Sequence, residues 1–249
     1  MEALKHLLFI DIETACGYAD SSDMSEGLYR EWMHKAKMKW SVDEEQASDA
    51  FFEKAAVLAE FGKIVCISLG CLRQRKGEEP KLFMRSYTDD DEKALLEAFC
   101  AGLASFSERL AQEGSKTLTF VGHNIREFDL PYISRRLVIH RIPFPECLRL
   151  QGKKPWEIPH LDTLQLWSFG DHKAFTRLSL LAELLDIPSP KDDISGSDVS
   201  RVYWREHDLQ RIATYCQKDV ETTARIYLRL VGYPEFHFDI EVLSDSASS

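Results

Sequence analysis

Leu7-Leu8-Phe9-Ile10-Asp11-Ile12-Glu13-Thr14 is an apolar run that abruptly takes on two carboxylates. Four consecutive apolar residues, then alternation of apolar and charged ones, read as a β-strand that begins buried and ends at a site. Successive strand side chains point to opposite faces, so Asp11 and Glu13 share one face, roughly 7 Å apart at ~3.3 Å per residue. Two acids beside a core lose hydration and repel each other. Two readings fit: the strand runs out into solvent at Asp11 with Thr14 opening a turn, or a divalent cation neutralises the pair.

The rest of the chain limits the choice. At 249 residues, 44% apolar and 29% charged, it has the make-up of an ordinary globular protein. No apolar run approaches the roughly 18 residues that cross a bilayer, and the N-terminal apolar patch is too short for a signal peptide, so a cytoplasmic protein without a membrane span is expected. Cys16, Cys66, Cys71, Cys100, Cys147 and Cys216 form no CxxC pair and have no histidine at zinc-finger spacing, which reads as reduced thiols. A net charge of −10 argues against broad, nonspecific nucleic-acid binding. Between Arg126 and Lys154, however, Arg126, Arg135, Arg136, Arg141, Arg149, Lys153 and Lys154 outnumber Glu127, Asp129 and Glu146. That excess suits either a local phosphate-binding strip or a solvated helix face.

From Cys16 to Gly62 there is no strand signal; apolar residues around Leu28–Trp40 and Ala47–Phe61 have helical spacing, predicting a helical insertion over about 17–62. It leaves directly from Glu13-Thr14, so it is either a lid or simply packed onto the sheet. Lys63–Cys71 and Lys81–Tyr87 predict two antiparallel strands. Thr88 is expected to cap a helix opening on Asp89-Asp90-Asp91-Glu92, with Leu95, Leu96, Phe99, Leu103, Phe106 and Leu110 as its apolar stripe. Lys116–Val121 predicts a fourth strand and His160–Leu164 a fifth, with a helix around Phe128–Ile133 and a four-proline loop over Ile142–Pro159 between them. Leu178–Leu185 is a short helix, Lys191–Ser197 a polar connection, and Leu209–Leu230 a helix of six turns. The fold class this order predicts is a ribonuclease H-like α/β domain, a mixed five-stranded sheet flanked by helices, over residues 1–243 with a disordered tail at 244–249.

The last helix carries Tyr215-Cys216-Gln217-Lys218-Asp219. Residues four apart on a helix lie on one face, so Tyr215 and Asp219 address one point. Together with Asp11, Glu13 and Asp129 they make an ordered set: Asp-x-Glu on a strand, Asn124-x-x-x-Phe128-Asp129 after a later strand, and Tyr-x-x-x-Asp on a late helix. The set resembles the DEDDy group of 3′→5′ exonucleases, and more closely the standalone family similar to the proofreading exonuclease domain of family-B DNA polymerases. Glu60-Phe61-Gly62-Lys63-Ile64-Val65, Gly122-His123-Asn124 and Asp193-Ile194-Ser195-Gly196-Ser197-Asp198-Val199 extend the resemblance to about residues 7–231. The histidine-type subgroup would place His at position 214, which is threonine; Tyr215 decides the subgroup.

The resemblance implies two divalent cations, Mg²⁺ or Mn²⁺, held by Asp11, Glu13, Asp129 and Asp219. Asp11 would bridge both, Glu13 and Asp219 would hold the nucleophile-side ion, Asp129 the second, and Tyr215 would hydrogen-bond the attacking water. The implied reaction is two-metal hydrolysis at the 3′ end of single-stranded DNA, releasing nucleoside 5′-monophosphates, with a role in DNA repair or maintenance. Ile12, Thr14, His123, Asn124 and Phe128 match positions able to touch the substrate, although Phe128 equally suits the core and His123 a structural hydrogen bond. Asp162 reads as a supporting carboxylate. The alternatives are an RNA-directed 3′→5′ exoribonuclease and a non-catalytic nucleic-acid-binding module on the same fold. No membrane partner is expected, and no protein partner is legible.

Overall fold

The computed structural model describes residues 4–43, 46–74, 77–114, 117–171, 173, 175–188, 194–233 and 236–243. The expected first strand forms β1 (Leu7–Cys16), buried at every position except the half-buried Asp11. It is followed by α1 (Glu26–Trp40), α2 (Ala47–Lys54), β2 (Gly62–Arg73), β3 (Lys81–Thr88), α3 (Glu92–Gln112), β4 (Thr119–Gly122), α4 (Asp129–Ile139), β5 (Leu161–Asp162), α5 (Thr163–Ser168), α6 (Leu178–Leu184), α7 (Val199–Arg201), α8 (Leu209–Leu230) and β6 (Asp239–Val242). The strands are ordered β5-β4-β1-β2-β3-β6. β2 is antiparallel to both β1 and β3, whereas β4, β5 and β6 each join in parallel.

The result is a ribonuclease H-like mixed sheet flanked by helices, with one strand more than the five expected. The additional β6 pairs with β3 at the sheet edge. Phe238, Ile240 and Val242 alternate with Asp239 and Glu241, a strand pattern the sequence reading did not use, and Ile240 and Val242 stay solvent-exposed at this edge. Lys116, residues 191–193 and the tail 244–249 lie outside the described residues.

β1 separates two cores by strand alternation. Leu8, Ile10 and Ile12 pack with the α3 stripe and with Leu130, Ile133 and Leu137 of α4. Leu7 and Phe9 face the other way, onto Val220, Ala224 and Tyr227 of α8, where Phe9 and Tyr227 meet edge-to-face at 5.8 Å. Asp11 and Glu13 continue this second row, so the acids emerge toward α8.

The expected cap of α3 is corrected. Thr88 stays in the β2–β3 ladder opposite Cys66, and Asp91 caps the helix instead, accepting from the Lys93 N–H at 2.9 Å. Glu92, expected to favour the helix dipole, is 4% exposed and accepts from the Ile64 N–H at 2.7 Å and from Nε of Arg136 at 2.8 Å. Arg136 also donates to the Ala59 carbonyl at 2.9 Å, and is therefore withdrawn from the expected basic strip into a buried clasp. The fifth strand is shorter than expected: only Leu161 and Asp162 pair with β4. His160 is buried instead, accepting at Nδ1 from the Phe120 N–H (3.2 Å) and donating from Nε2 to the Cys147 carbonyl (2.8 Å).

The insertion is helical, with a core of its own around Trp32, whose ring meets Phe51 at 5.2 Å and Phe61 at 5.4 Å. A π-helical stretch after α7, Val202–Glu206, is pinned to the end of β1, where the insertion begins, by Trp204 Nε1 donating to the Cys16 carbonyl at 2.8 Å. All six cysteines are free thiols. Among the described residues, no helix is long and apolar enough to cross a membrane.

Candidate active site

Three elements converge in the middle of β1, just beyond the end of its pairing with β4. α8 lies along the sheet with Val220 and Ala224 on the apolar row, which puts Asp219, and Cys216 and Tyr215 about one turn before it, beside Asp11 and Glu13. Ligating atoms of Asp11, Glu13 and Cys216 lie within 4.8 Å of one another. The Cys216 Sγ is 3.3 Å from Oδ2 and 3.4 Å from the backbone oxygen of Asp11. Burial raises its pKa well above the usual thiol range, so it acts as an S–H donor to Asp11 rather than as a thiolate ligand.

α4 supplies Asp129. β1 pairs with β4 only through Leu7–Phe9, leaving the Ile12 N–H beyond the end of that ladder. Asp129 Oδ1 accepts from it at 3.1 Å, so the carboxylate is tied to the backbone between Asp11 and Glu13. The close approach of β4 needs a glycine. A Cβ on Gly122 would sit 2.0 Å from Cγ2 of Ile125 and 2.8 Å from the Ile10 carbonyl. On the other side of β1 the register against β2 shifts between Glu13 and Thr14, a bulge at the site.

The electrostatics follow from this crowding. Burial chiefly, then Asp219, Glu13 and Asp129, push Asp11 well above the usual carboxylate range. Glu13 is raised by burial, then by Asp219, Cys66 and Asp129. Asp129 is pushed up from 3.8 to about 7, chiefly by burial, against the pull of the Ile12 N–H. Tyr215 hydrogen-bonds Asp219 and is raised by burial and by the acids around it, so it is a neutral phenol at ordinary pH. Thus Asp11, Glu13, Asp129, Tyr215 and Asp219, distant in sequence, share one electrostatic neighbourhood. Asp11 and Glu13, with Cys216 beside them, form a group that could hold a metal ion, and its carboxylate oxygens are ligands that suit a divalent cation.

The other expected contacts divide. His123 Nε2 donates to the Thr176 carbonyl (2.8 Å), while Nδ1 is 2.9 Å from Oγ1 of Thr163; both ring nitrogens are engaged within the protein. Phe128 is half-buried against the α3–α4 core, 5.4 Å from Tyr132. Ile12 is 5% exposed and packs in the same core, while Thr14 is buried with its side chain hydrogen-bonded to Tyr132. Asn124 adopts a left-handed conformation (φ 61°). Its N–H and that of Arg126 bind the two oxygens of Asp162 at 2.8 and 3.1 Å. Asp162, buried and also capping α5, therefore shapes the turn between β4 and α4 that delivers Asp129. Sequence reading missed Cys216 and Gly122. Cys216 lies inside the quoted Tyr–Asp pentapeptide, one turn before Asp219, and that spacing was the available signal.

A mixed sheet flanked by helices, with carboxylates on its central strand β1, defines the ribonuclease H-like class of fold. Residues 57–241 match a family described as a predicted 3′-5′ exonuclease related to the exonuclease domain of PolB, and the chain belongs to that family. Asp129, Tyr215 and Asp219 fall inside the matched region; Asp11 and Glu13 precede it. An uncharacterized protein of Methanocaldococcus jannaschii is 26% identical over 137 residues, 52% of this chain and 72% of that one. The family B DNA polymerase of Pyrobaculum calidifontis superposes with a TM-score of 0.53 over 90% of this chain at 14% identity. The chain spans 24% of the polymerase's length, and at this identity the likeness is one of fold.

Proposed function

We propose that the protein is a metal-dependent exonuclease that removes nucleotides from the 3′ end of single-stranded DNA and releases nucleoside 5′-monophosphates. The observation that carries the reading is the convergence of Asp11, Glu13, Asp129 and Asp219, each acting electrostatically on its neighbours, beside the neutral phenol of Tyr215. Membership of a family related to a DNA polymerase's exonuclease domain supports DNA ahead of RNA. In this reading residues 1–243 work as one cytoplasmic exonuclease domain, with about 17–62 as its insertion.

Asp11, Glu13, Asp129 and Asp219 would hold two divalent cations. The chemistry such ions supply is an activated water and positive charge opposite the departing 3′-oxygen. Tyr215 remains protonated, so it orients the attacking water by hydrogen bonding and is not its base. Asp129 is kept in place by Ile12, and Cys216 directs one Asp11 oxygen by donating to it.

The test uses a 5′-labelled DNA oligonucleotide, with Mn²⁺ or Mg²⁺, beside an RNA oligonucleotide of matched sequence. Stepwise shortening from the 3′ end is expected, faster on DNA, and abolished by Asp11→Ala and by Asp219→Ala. Tyr215→Phe should slow it by about 10²-fold, the scale of a misplaced reactant. Undiminished activity in both alanine variants would overturn the assignment, and preference for the RNA strand would redirect the substrate.

A further inference from the structure

The sheet face opposite Asp11 and Glu13 carries a second, differently charged site. Between β2, β3 and α3 lies a cavity of about 780 Å³, within the range of about 300–1,000 Å³ typical of small-molecule sites. Among the described residues, four cationic side chains line it, Lys5, Arg73, Arg85 and Arg109, against one carboxylate, Glu113. In a chain of net charge −10 this is a concentrated local reversal of sign.

Arg73 is the informative member. Its Nη1 donates to the Lys5 carbonyl at 2.6 Å, while Nη2 is buried and without a hydrogen-bond partner among the described residues. A buried guanidinium N–H left unmatched is costly, and such atoms call for an explanation. The Arg73 guanidinium lies 5.5 Å from the centre of the Phe106 ring and that of Arg109 lies 5.9 Å from it, so one ring carries two like charges. Arg85 stacks at 5.1 Å on Tyr87. The floor is built around this arrangement: a Cβ on Gly102 would fall 1.9 Å from the Tyr87 hydroxyl, so α3 admits that ring only because position 102 is glycine.

An anion in the cavity offsets the like charges of Arg73 and Arg109, and the planar arginine fork matches phosphate oxygens. We propose that this cavity binds a phosphate-bearing organic anion, its phosphate held by Arg73 and Arg109 and its flat or apolar body resting on Leu8, Leu69, Phe106 and Tyr87. The size and aromatic floor suit a mononucleotide, whether free or as one unit of a strand. The proposal does not rest on the exonuclease reading, because the cavity opens on the other side of the sheet from the carboxylates.

Isothermal titration of the full chain in EDTA separates the possibilities, using inorganic phosphate, 2′-deoxyadenosine 5′-monophosphate and a short deoxyoligonucleotide as probes. Binding of at least one probe is expected, weakened by about tenfold or more in Arg109→Gln and in Arg73→Lys, the scale of one charged hydrogen bond, and unchanged in Asp11→Ala. Arg109 is exposed, so its replacement leaves the fold intact and keeps the test valid if the Arg73 variant does not fold. Mononucleotide binding without oligonucleotide binding identifies a free nucleotide as the occupant; the reverse identifies a strand. Absence of binding by all three probes, or equal binding by both arginine variants, overturns the proposal.

Discussion

Burial sets the protonation of the carboxylates before any ligand arrives. Asp129 rises from 3.8 to about 7, so between those values the folded protein holds a proton that the unfolded chain has released. The linkage sign follows for this group: the stability it contributes to the metal-free protein is fully present below about pH 4 and is lost as pH rises through about 7. Asp11 and Glu13, raised in the same direction, steepen the loss. Thermal melts in EDTA from pH 4 to pH 8 should therefore decline toward the alkaline end. Asp129→Asn keeps an oxygen to accept from the Ile12 N–H but cannot ionise. It should melt several degrees higher than the parent at pH 8 and about equally at pH 4; an unaltered pH slope would place the charge strain elsewhere.

At the scale of elements, α4 does two jobs with adjacent residues. Arg135 is exposed, whereas Arg136, 9% exposed, clamps α4 to Glu92 at the start of α3 and to the Ala59 carbonyl before β2. His140 Nε2 lies 2.8 Å from the other Glu92 oxygen, Oε2. Arg136→Ala leaves Glu92 buried without its main partner, and urea unfolding should register a loss of about 3–5 kcal/mol. Arg135→Ala should change stability by less than about 0.5 kcal/mol, while lowering the salt dependence of DNA binding if Arg135, Lys153 and Lys154 of the remaining strip contact phosphates. A salt slope unmoved by replacing all three would remove the strip from the substrate path.

At the scale of the molecule, the site is assembled by β1, α4 and α8, elements that meet only when the sheet is complete. A cation bound there stabilises the folded state by mass action, about 2.7 kcal/mol at a hundredfold excess over its dissociation constant. Saturating Mn²⁺ at pH 8 should thus raise the melting temperature by about 5–10 °C, reversed by EDTA. Asp11→Ala should lose that shift without melting lower than the parent in EDTA. A Mn²⁺ shift that survives in Asp11→Ala would mean that the cation binds elsewhere.

Much of this was legible in the residues themselves. The strand Leu7–Cys16, the apolar stripe of α3 and the long α8 follow from hydrophobic periodicity, which is local and survives in the bare sequence. Strand alternation alone put Asp11 and Glu13 on one face, and helix spacing put Tyr215 beside Asp219. The edge strand β6, the Asp91 cap and the fate of Arg136 were decided by tertiary structure. Each depends on a partner far along the chain: β3 for the strand, Cys66 holding Thr88 in the ladder, and Glu92 for the arginine. An exposed and a buried arginine look alike in sequence because burial belongs to the assembled core. The carboxylates are the same case. The chain alone supplies Asp11 and Glu13 as a pair, but only packing brings Asp129 and Asp219 into their electrostatic neighbourhood, and burial is the chief reason that Asp11, Glu13 and Asp129 hold their protons more tightly than ordinary acids.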